Sequence, residues 1–363
     1  VGETALNLAN VLWNDHGIAS DFLVYQAPGP KPALDIPESF PHTIERLDGG
    51  GAIAFHRAID RLTAASAAPP ILLLHYVSYG YSRQGIPFWL PPAVERFIGR
   101  GGQLLTLFHE LFAKPRFPTK TFITSGMQQR IFRRLLAASE AAFTSSEDYL
   151  ETMRRSNRAN RPLSLIGICS SAGEPQQPGP LAQRKRRMAI FGRFATRKLI
   201  YAHHLAALER VAKHLGIEEI ADIGSVEDPQ WMEERVLRPL GSLVRTYGTL
   251  TVSAVSQLLE DTMAGALAYS YALRGKSSVI AAYQAHAMAI LMFPEEGRDE
   301  PREPGSWTLA AEELLALPAQ SQVLLDRLQE AATAGHDHYN RHRSAHSMAE
   351  TMLPALRMAA AKQ

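Results

Sequence analysis

The residues able to do chemistry gather in a few short stretches. Gly275-Lys276-Ser277-Ser278 follows an apolar run expected as a strand, Ala264–Tyr269, and opens an expected helix, Ser277–Ala285. Amides exposed at a helix start carry partial positive charge and suit a phosphate; Lys276 adds a full charge, and Ser277 and Ser278 add hydroxyl donors. The plainer alternative is a serine cap beside a solvated lysine. Phe191 to Lys198 (FGRFATRK) is the counterpart after the first strand of the same half. Gly192 permits close backbone approach, and Arg193, Arg197 and Lys198 could converge on a diphosphate with Lys276. The alternative is a turn carrying surface basic residues.

In the first half, Leu105 to Leu111 reads LTLFHEL, an apolar strand ending at His109-Glu110. A histidine beside a carboxylate at a strand end can move a proton or position a hydroxyl. His109 is the candidate base or acceptor contact, and Glu110 the group that orients it. Tyr76 to Trp89 (YVSYGYSRQGIPFW) follows the preceding strand. Tyr79, Tyr81, Arg83 and Trp89 there could line a sugar-sized pocket, or anchor an ordinary loop. His338, His342 and His346 share a helix face, but no carboxylate or cysteine completes a ligand spacing, so no metal is expected.

Other classes recede. No Gly-x-Gly-x-x-Gly follows a strand and there is no Walker sequence. Asp48-Gly49-Gly50-Gly51 precedes a helix and is a weak anion-loop candidate. Thirty-eight basic against thirty-six acidic residues give a net charge of +2, which supplies no field for nucleic acid. One cysteine, Cys169, excludes an internal disulfide and fits a reducing, cytoplasmic setting. The longest apolar candidate, Val279 to Phe293, is too short to span a membrane and contains Gln284 and His286. No signal peptide is expected at Val1. A peripheral membrane contact has one candidate, the helix bearing Arg130, Arg133 and Arg134 beside Ile131, Phe132, Leu135 and Leu136; a solvated stripe is the alternative.

These residues need elements that hold them. Helix-period and strand-like segments alternate: helix Gly2–His16, strand Asp21–Tyr25, a proline-rich loop Ala27–Pro41, helix Gly50–Ala65, strands Ile71–His75 and Gln103–Phe108, helix Gln128–Ala138, and strand Ala141–Thr144. After residue 187 come strand Met188–Phe191, helix Lys198–His214, strand Ile217–Ile223, helix Asp228–Leu237, strand Leu243–Thr246 and helix Val252–Thr262. The strand and helix bearing the Lys276 loop follow, then strand Ala287–Phe293, a charged loop Pro294–Pro304, and helices Ala319–Ala334 and Tyr339–Ala360. This alternation implies an α/β fold of two Rossmann-like doubly wound domains facing a central cleft. The expected bounds are 1–170, a linker 171–187 containing the basic run Arg184 to Arg187, 188–335, and a closing helix 336–363 crossing back to the first domain. One domain would hold a donor and the other an acceptor, and closure would exclude water.

The ordered set of motifs resembles bacterial glycosyltransferases of the GT-B fold, of the broad group-four type, over nearly the whole chain. Val1-Gly2-Glu3-Thr4 resembles the loop that starts that family's first helix, and LLLHYVSYGYSRQGIPFW and LLTLFHEL two acceptor-domain strand ends. AAFTSSEDYLETM resembles its later strand–helix pair, FGRFATRK and GALAYSYALRGKSSVIAAYQAHAMAIL its donor-binding elements, and HYNRHRSAHSMAETML its closing helix. The resemblance implies a hexosyltransferase-like enzyme of polysaccharide biosynthesis. It would move sugar from a nucleotide-sugar co-substrate to a glycan, lipid-linked or small-molecule acceptor, without metal or other cofactor. It also implies a cytoplasmic enzyme, peripheral at the inner membrane face when the acceptor is lipid-linked. Two departures stand out. The family's usual first strand does not precede Gly2. Many members carry two glutamates eight positions apart near the donor, whereas Ser270 to Ala285 has none, leaving Lys276 and Ser278 as the nearest polar substitutes. A non-catalytic sugar-nucleotide or glycan-binding module is therefore the alternative, and a phosphate-ester hydrolase using His109 a third.

Overall fold

The computed structural model describes residues 2–26, 43–48, 51–64, 70–113, 119–294 and 307–361. The proline-rich loop, Gly49-Gly50 of the glycine run and most of the loop after Pro294 lie outside them. The chain divides into two compact units, Val1–Gly167 with Ala345–Gln363, and Ile168–Ser344.

In the first unit, α1 (Gly2–His16) is followed by β1 (Phe22–Gln26), β2 (Ile44–Asp48), α2 (Gly51–Thr63), β3 (Ile71–Tyr76), the one-turn α3 (Ser78–Tyr81), α4 (Leu90–Ile98), β4 (Gln103–Phe108), α5 (Lys120–Ala138), β5 (Ala141–Thr144), α6 (Glu147–Ser156) and β6 (Leu163–Leu165). β1 and β2 pair in parallel, and β3–β4–β5–β6 form a parallel sheet. Helix α4 was not evident in the sequence. Its Pro91-Pro92 fall in the first turn, where the missing N–H costs nothing, so prolines that suggest a loop start a helix instead. Leu74, Leu104 and Phe108 of the sheet pack with Val94 and Phe97 of α4 and Phe132 and Leu135 of α5.

In the second unit a short turn, Leu181–Gln183, leads into β7 (Lys185–Phe191), α7 (Phe194–Leu215), β8 (Glu219–Ile223), α8 (Pro229–Met232), α9 (Arg238–Leu240), β9 (Val244–Gly248), α10 (Val252–Glu260), β10 (Thr262–Ala268), a 3₁₀ turn (Tyr271–Lys276), α11 (Ser278–Ala285), β11 (Ala289–Phe293), β12 (Thr308–Leu309), α12 (Ala311–Leu315) and α13 (Gln322–His342). The parallel sheet runs β9–β8–β7–β10–β11–β12, so the strand order reverses between β7 and β10. Alternation divides the sheet's side chains between two apolar layers. Ala289, Leu291 and Phe293 join Leu208 of α7 and Leu328 of α13, while Ile290 and Met292 join Val255 of α10 and Ile280 of α11. Helices thus cover both faces.

Two expectations change. Residues 171–187 are not a linker but part of the second unit. Ala172 and Leu181 are fully buried, and β7 begins at Lys185. Three of the four basic residues have partners. Arg184 donates to the carbonyls of Gly179, Thr262 and His286, Arg187 pairs with Glu219 at 2.6 Å, and Lys185 pairs with Asp261. The break between the last two helices falls at Arg343-Ser344, not near Gly335. Gly335 stays inside α13, between Trp307 and Gln284. The final helix, α14 (Ala345–Ala361), belongs to the first unit, packing on α1, β3 and β4.

Candidate functional site

Reversal of strand order leaves the carboxyl ends of β7 and β10 diverging, and ligands of doubly wound sheets bind there. The Gly192 turn and the Lys276 loop are the segments that leave those two ends. Gly192 adopts φ +122, and a Cβ on it would stand 3.0 Å from Val279 Cγ2. The missing side chain lets the start of α11 lie against the turn after β7. Ser277 caps α11, its Oγ accepting from Ile280 N at 3.2 Å, and is buried. Its hydroxyl is thus committed to the helix, as the plain capping reading has it. Ser278 is half-buried at the first helical position, where its backbone amide lies among those that have no carbonyl four residues back. Lys276 is half-buried on the preceding turn.

The three basic residues after Gly192 do not converge. Arg193 precedes the first turn of α7, exposed, its side chain without a hydrogen bond or ion pair among the described residues. Arg197 is only 2% exposed. It pairs with Asp222 at 3.0 Å and donates to the carbonyls of Gly192, Gly224 and Ser225. Lys198 lies about 100° further round the helix. Its amine sits 4.4 Å from the Trp231 ring centroid and 3.5 Å from Asp228, so it is occupied by α8. Arg197 therefore shapes the site from behind. It fastens the turns after β7 and β8, with Gly224 (φ +139) leaving room for its guanidinium and the Gly192 carbonyl. Burial pushes the Asp222 carboxyl above its usual range, although Arg197 and the Tyr201 hydroxyl oppose the shift.

In the first unit, the strand-end loops are fixed from below by Gln128 of α5, which is fully buried. Its Oε1 accepts from Ala113 N at 2.8 Å and its Nε2 donates to the Gly85 carbonyl at 3.0 Å. His109 meets His75, which in the sequence reads as part of an apolar strand. His75 Nδ1 lies 3.1 Å from His109 Nε2, with the rings stacked. Burial lowers the His75 pKa to about 4, so that ring is neutral at pH 7. Glu110, the expected orienting group, is exposed and makes no hydrogen bond or ion pair among the described residues. Tyr81 and Trp89 turn into the apolar layer. The Tyr81 hydroxyl donates to the His75 carbonyl at 3.0 Å, Trp89 Nε1 donates to the Tyr81 carbonyl, and both rings contact Tyr25. They anchor the loop, whereas Tyr79 and Arg83 are its exposed members.

His338 stacks on Trp307, and His346 bonds to Asp15 at 2.9 Å. Among the described residues no group of three or more His, Cys, Asp or Glu is placed to hold a metal, and no helix is long and apolar enough to cross a membrane. On α5 the apolar residues 131, 132, 135 and 136 are buried, and Arg134 pairs with Glu95 at 2.6 Å.

No protein-family model and no curated protein matches the chain. Solved structures do. The chain is similar to a sucrose-phosphate synthase from Thermosynechococcus elongatus (15% identity, TM-score 0.63, covering 99% of this chain and 92% of that one). It is also similar to a candidate UDP-N-acetylglucosamine 2-epimerase from Listeria monocytogenes (13%, TM-score 0.54, 98% and 92%). A third is the lipopolysaccharide outer core galactosyltransferase WaaB (11%, TM-score 0.52, 98% and 96%). At these identities the likeness is one of fold. With two Rossmann-like units, a switch-point strand order in the second and neighbours matched over nearly their whole length, the chain has the GT-B fold.

Proposed function

We propose that the protein is a glycosyltransferase moving a sugar from a nucleotide-sugar donor to a glycan, lipid-linked or small-molecule acceptor. The observation that carries this reading is the close approach of the Gly192 turn to the start of α11 at the reversal of strand order. That place offers a helix N-terminus, Lys276 and the unpaired Arg193 to the same kind of anion. In transfer, the bond from the anomeric carbon to the diphosphate oxygen breaks, a bond to the acceptor oxygen forms, and negative charge grows on the leaving diphosphate. Fixed amides and cations aimed there stabilise that charge, each charge-assisted hydrogen bond contributing about 1.5–3 kcal/mol, and no metal is assigned a part. Lys198 drops out of the donor set, and Ser277 acts through the cap.

The acceptor is assigned to the first unit, at Tyr79, Arg83 and His109. With a neutral His75 against Nε2, His109 is the candidate to take the acceptor proton if the anomeric centre inverts. If configuration is retained, the leaving phosphate takes the proton and His109 positions the hydroxyl. Sugar nucleotides screened against a broad acceptor panel, with products read by mass and anomeric configuration by NMR, test the reading. Transfer is expected, diminished in Lys276→Ala and His109→Ala. The absence of glutamates between Ser270 and Ala285 favours a second reading, a sugar-nucleotide-binding module, and binding without turnover across the panel would establish it.

A further inference from the structure

The residue that ends α13 is a cation in an unusual place. Arg343 is 2% exposed. Its guanidinium donates from Nε to the Ile168 carbonyl (3.3 Å), from Nη1 to Gln284 Oε1 (2.9 Å), and from Nη2 to the carbonyls of Gly275 (3.1 Å) and Ser277 (2.8 Å). Each of these acceptors is neutral, and Arg343 forms no ion pair with a carboxylate among the described residues. Burial, with Arg274 adding repulsion, lowers its pKa to about 10, which leaves it charged at pH 7. A buried charge without a counter-charge is costly, and an apolar or neutral residue would fill the same space at less cost.

Two of the four acceptors are carbonyls of the loop that opens α11. In a trans peptide the N–H points opposite to the C=O. Holding the Ser277 carbonyl, which also accepts the first helical bond from Ala281 N, aims the Ser278 amide away from Arg343 and out of the helix start. The same side chain fixes Gln284 in the last turn of α11 so that its Oε1 faces the guanidinium, leaving the buried Nε2 without a partner among the described residues. One cation therefore braces both ends of α11, and its charge lies behind the loop on the side opposite the outward amide. An anion beyond the loop would supply the counter-charge that the described residues do not.

We infer that Arg343 is a positioning residue for the donor diphosphate: it sets the Gly275–Ser278 loop in its anion-accepting form and supplies an unneutralised positive charge beneath it. This rests on the proposed donor site and adds a residue from the far end of the unit's sequence to it. Arg343 itself touches no reacting atom. Its effect falls on affinity for phosphate groups, not on affinity for the base.

Titration calorimetry with inorganic pyrophosphate on the wild-type protein, Arg343→Met, Arg343→Gln and Arg343→Lys tests it, with thermal unfolding recorded for each. The expected result is at least a tenfold loss of pyrophosphate affinity in Arg343→Met and Arg343→Gln, and recovery to within threefold of wild type in Arg343→Lys, which restores the charge. Arg343→Gln keeps neutral donors and serves if the methionine variant does not fold. Wild-type affinity in a folded Arg343→Gln would overturn the inference and leave the donor site standing. A lysine variant as weak as the glutamine one would also overturn it, reducing Arg343 to packing. A wild-type protein that binds neither pyrophosphate nor any nucleoside diphosphate would remove the donor site and this inference together.

Discussion

Replacing Arg197 by Met removes the charge that neutralises Asp222, both side chains being about 1% exposed. An unpaired buried carboxylate costs about 3–5 kcal/mol. The cost has a ceiling, because the group can take a proton instead. Protonating a carboxyl of ordinary pKa at pH 7 costs about 4 kcal/mol, three units at about 1.4 kcal/mol each. The carbonyls of Gly192, Gly224 and Ser225 also lose a donor, which leaves a remainder of about 1 kcal/mol that does not vary with pH. The sign follows. In the variant the folded-state pKa of Asp222 rises further above the unfolded value, so the penalty is full at pH 7 and shrinks by about 1.4 kcal/mol per unit as pH falls towards 5. Adding Asp222→Asn should recover most of the loss at pH 7 and flatten the pH dependence. Amide hydrogen exchange of β7 and β8 between pH 5 and 7, corrected for intrinsic rates, reads this unit alone. A cost below about 1 kcal/mol, or one unchanged across that range, would refute the account of the pair.

Three further outcomes are expected. His286 is fully buried with a pKa lowered to about 4 by burial, so its stabilisation is complete above the unfolded pKa near 6.5 and lost as pH falls through 4. That loss is about 3 kcal/mol, absent in His286→Phe if its ring is accommodated, and readable by urea unfolding at pH 7 and 4.5. Gln128→Leu strands the Ala113 amide and the Gly85 carbonyl, costing about 2–4 kcal/mol and raising KM for acceptor more than for donor in steady-state kinetics. On α5, Arg130 and Arg133 are exposed and without partners among the described residues. If the acceptor is lipid-linked, the protein sediments with anionic vesicles at low salt and is released at high salt, at about 1 kcal/mol per charge; failure to sediment at low salt points to a soluble acceptor.

The alternation of helices and strands was legible because it depends on local periodicity, and so was the strand–loop–helix unit around Lys276. What escaped depends on contacts far apart in sequence. The run Arg184 to Arg187 reads as solvated until the carbonyls of Thr262 and His286 and the carboxylates of Glu219 and Asp261 close around it. Arg343 hides among the charged residues of HYNRHRSAH for the same reason, and its acceptors lie at 168, 275, 277 and 284. His75 lies next to the end of a largely apolar strand, and the parallel register of β3 with β4 brings it to His109. Arg193, Arg197 and Lys198 looked equivalent by type. Helical geometry gives them three different surroundings: solvent, a buried carboxylate and an indole face.

The central claim is that donor diphosphate sits where β7 and β10 part. Hydrogen exchange with mass detection, on the protein with and without saturating donor nucleoside diphosphate, addresses it most directly. The account predicts slowed exchange at residues 192–194 and 275–280, lost in Lys276→Ala. Slowed exchange confined to the first unit's loops at 76–89 and 109–113, with 275–280 unchanged, would contradict it.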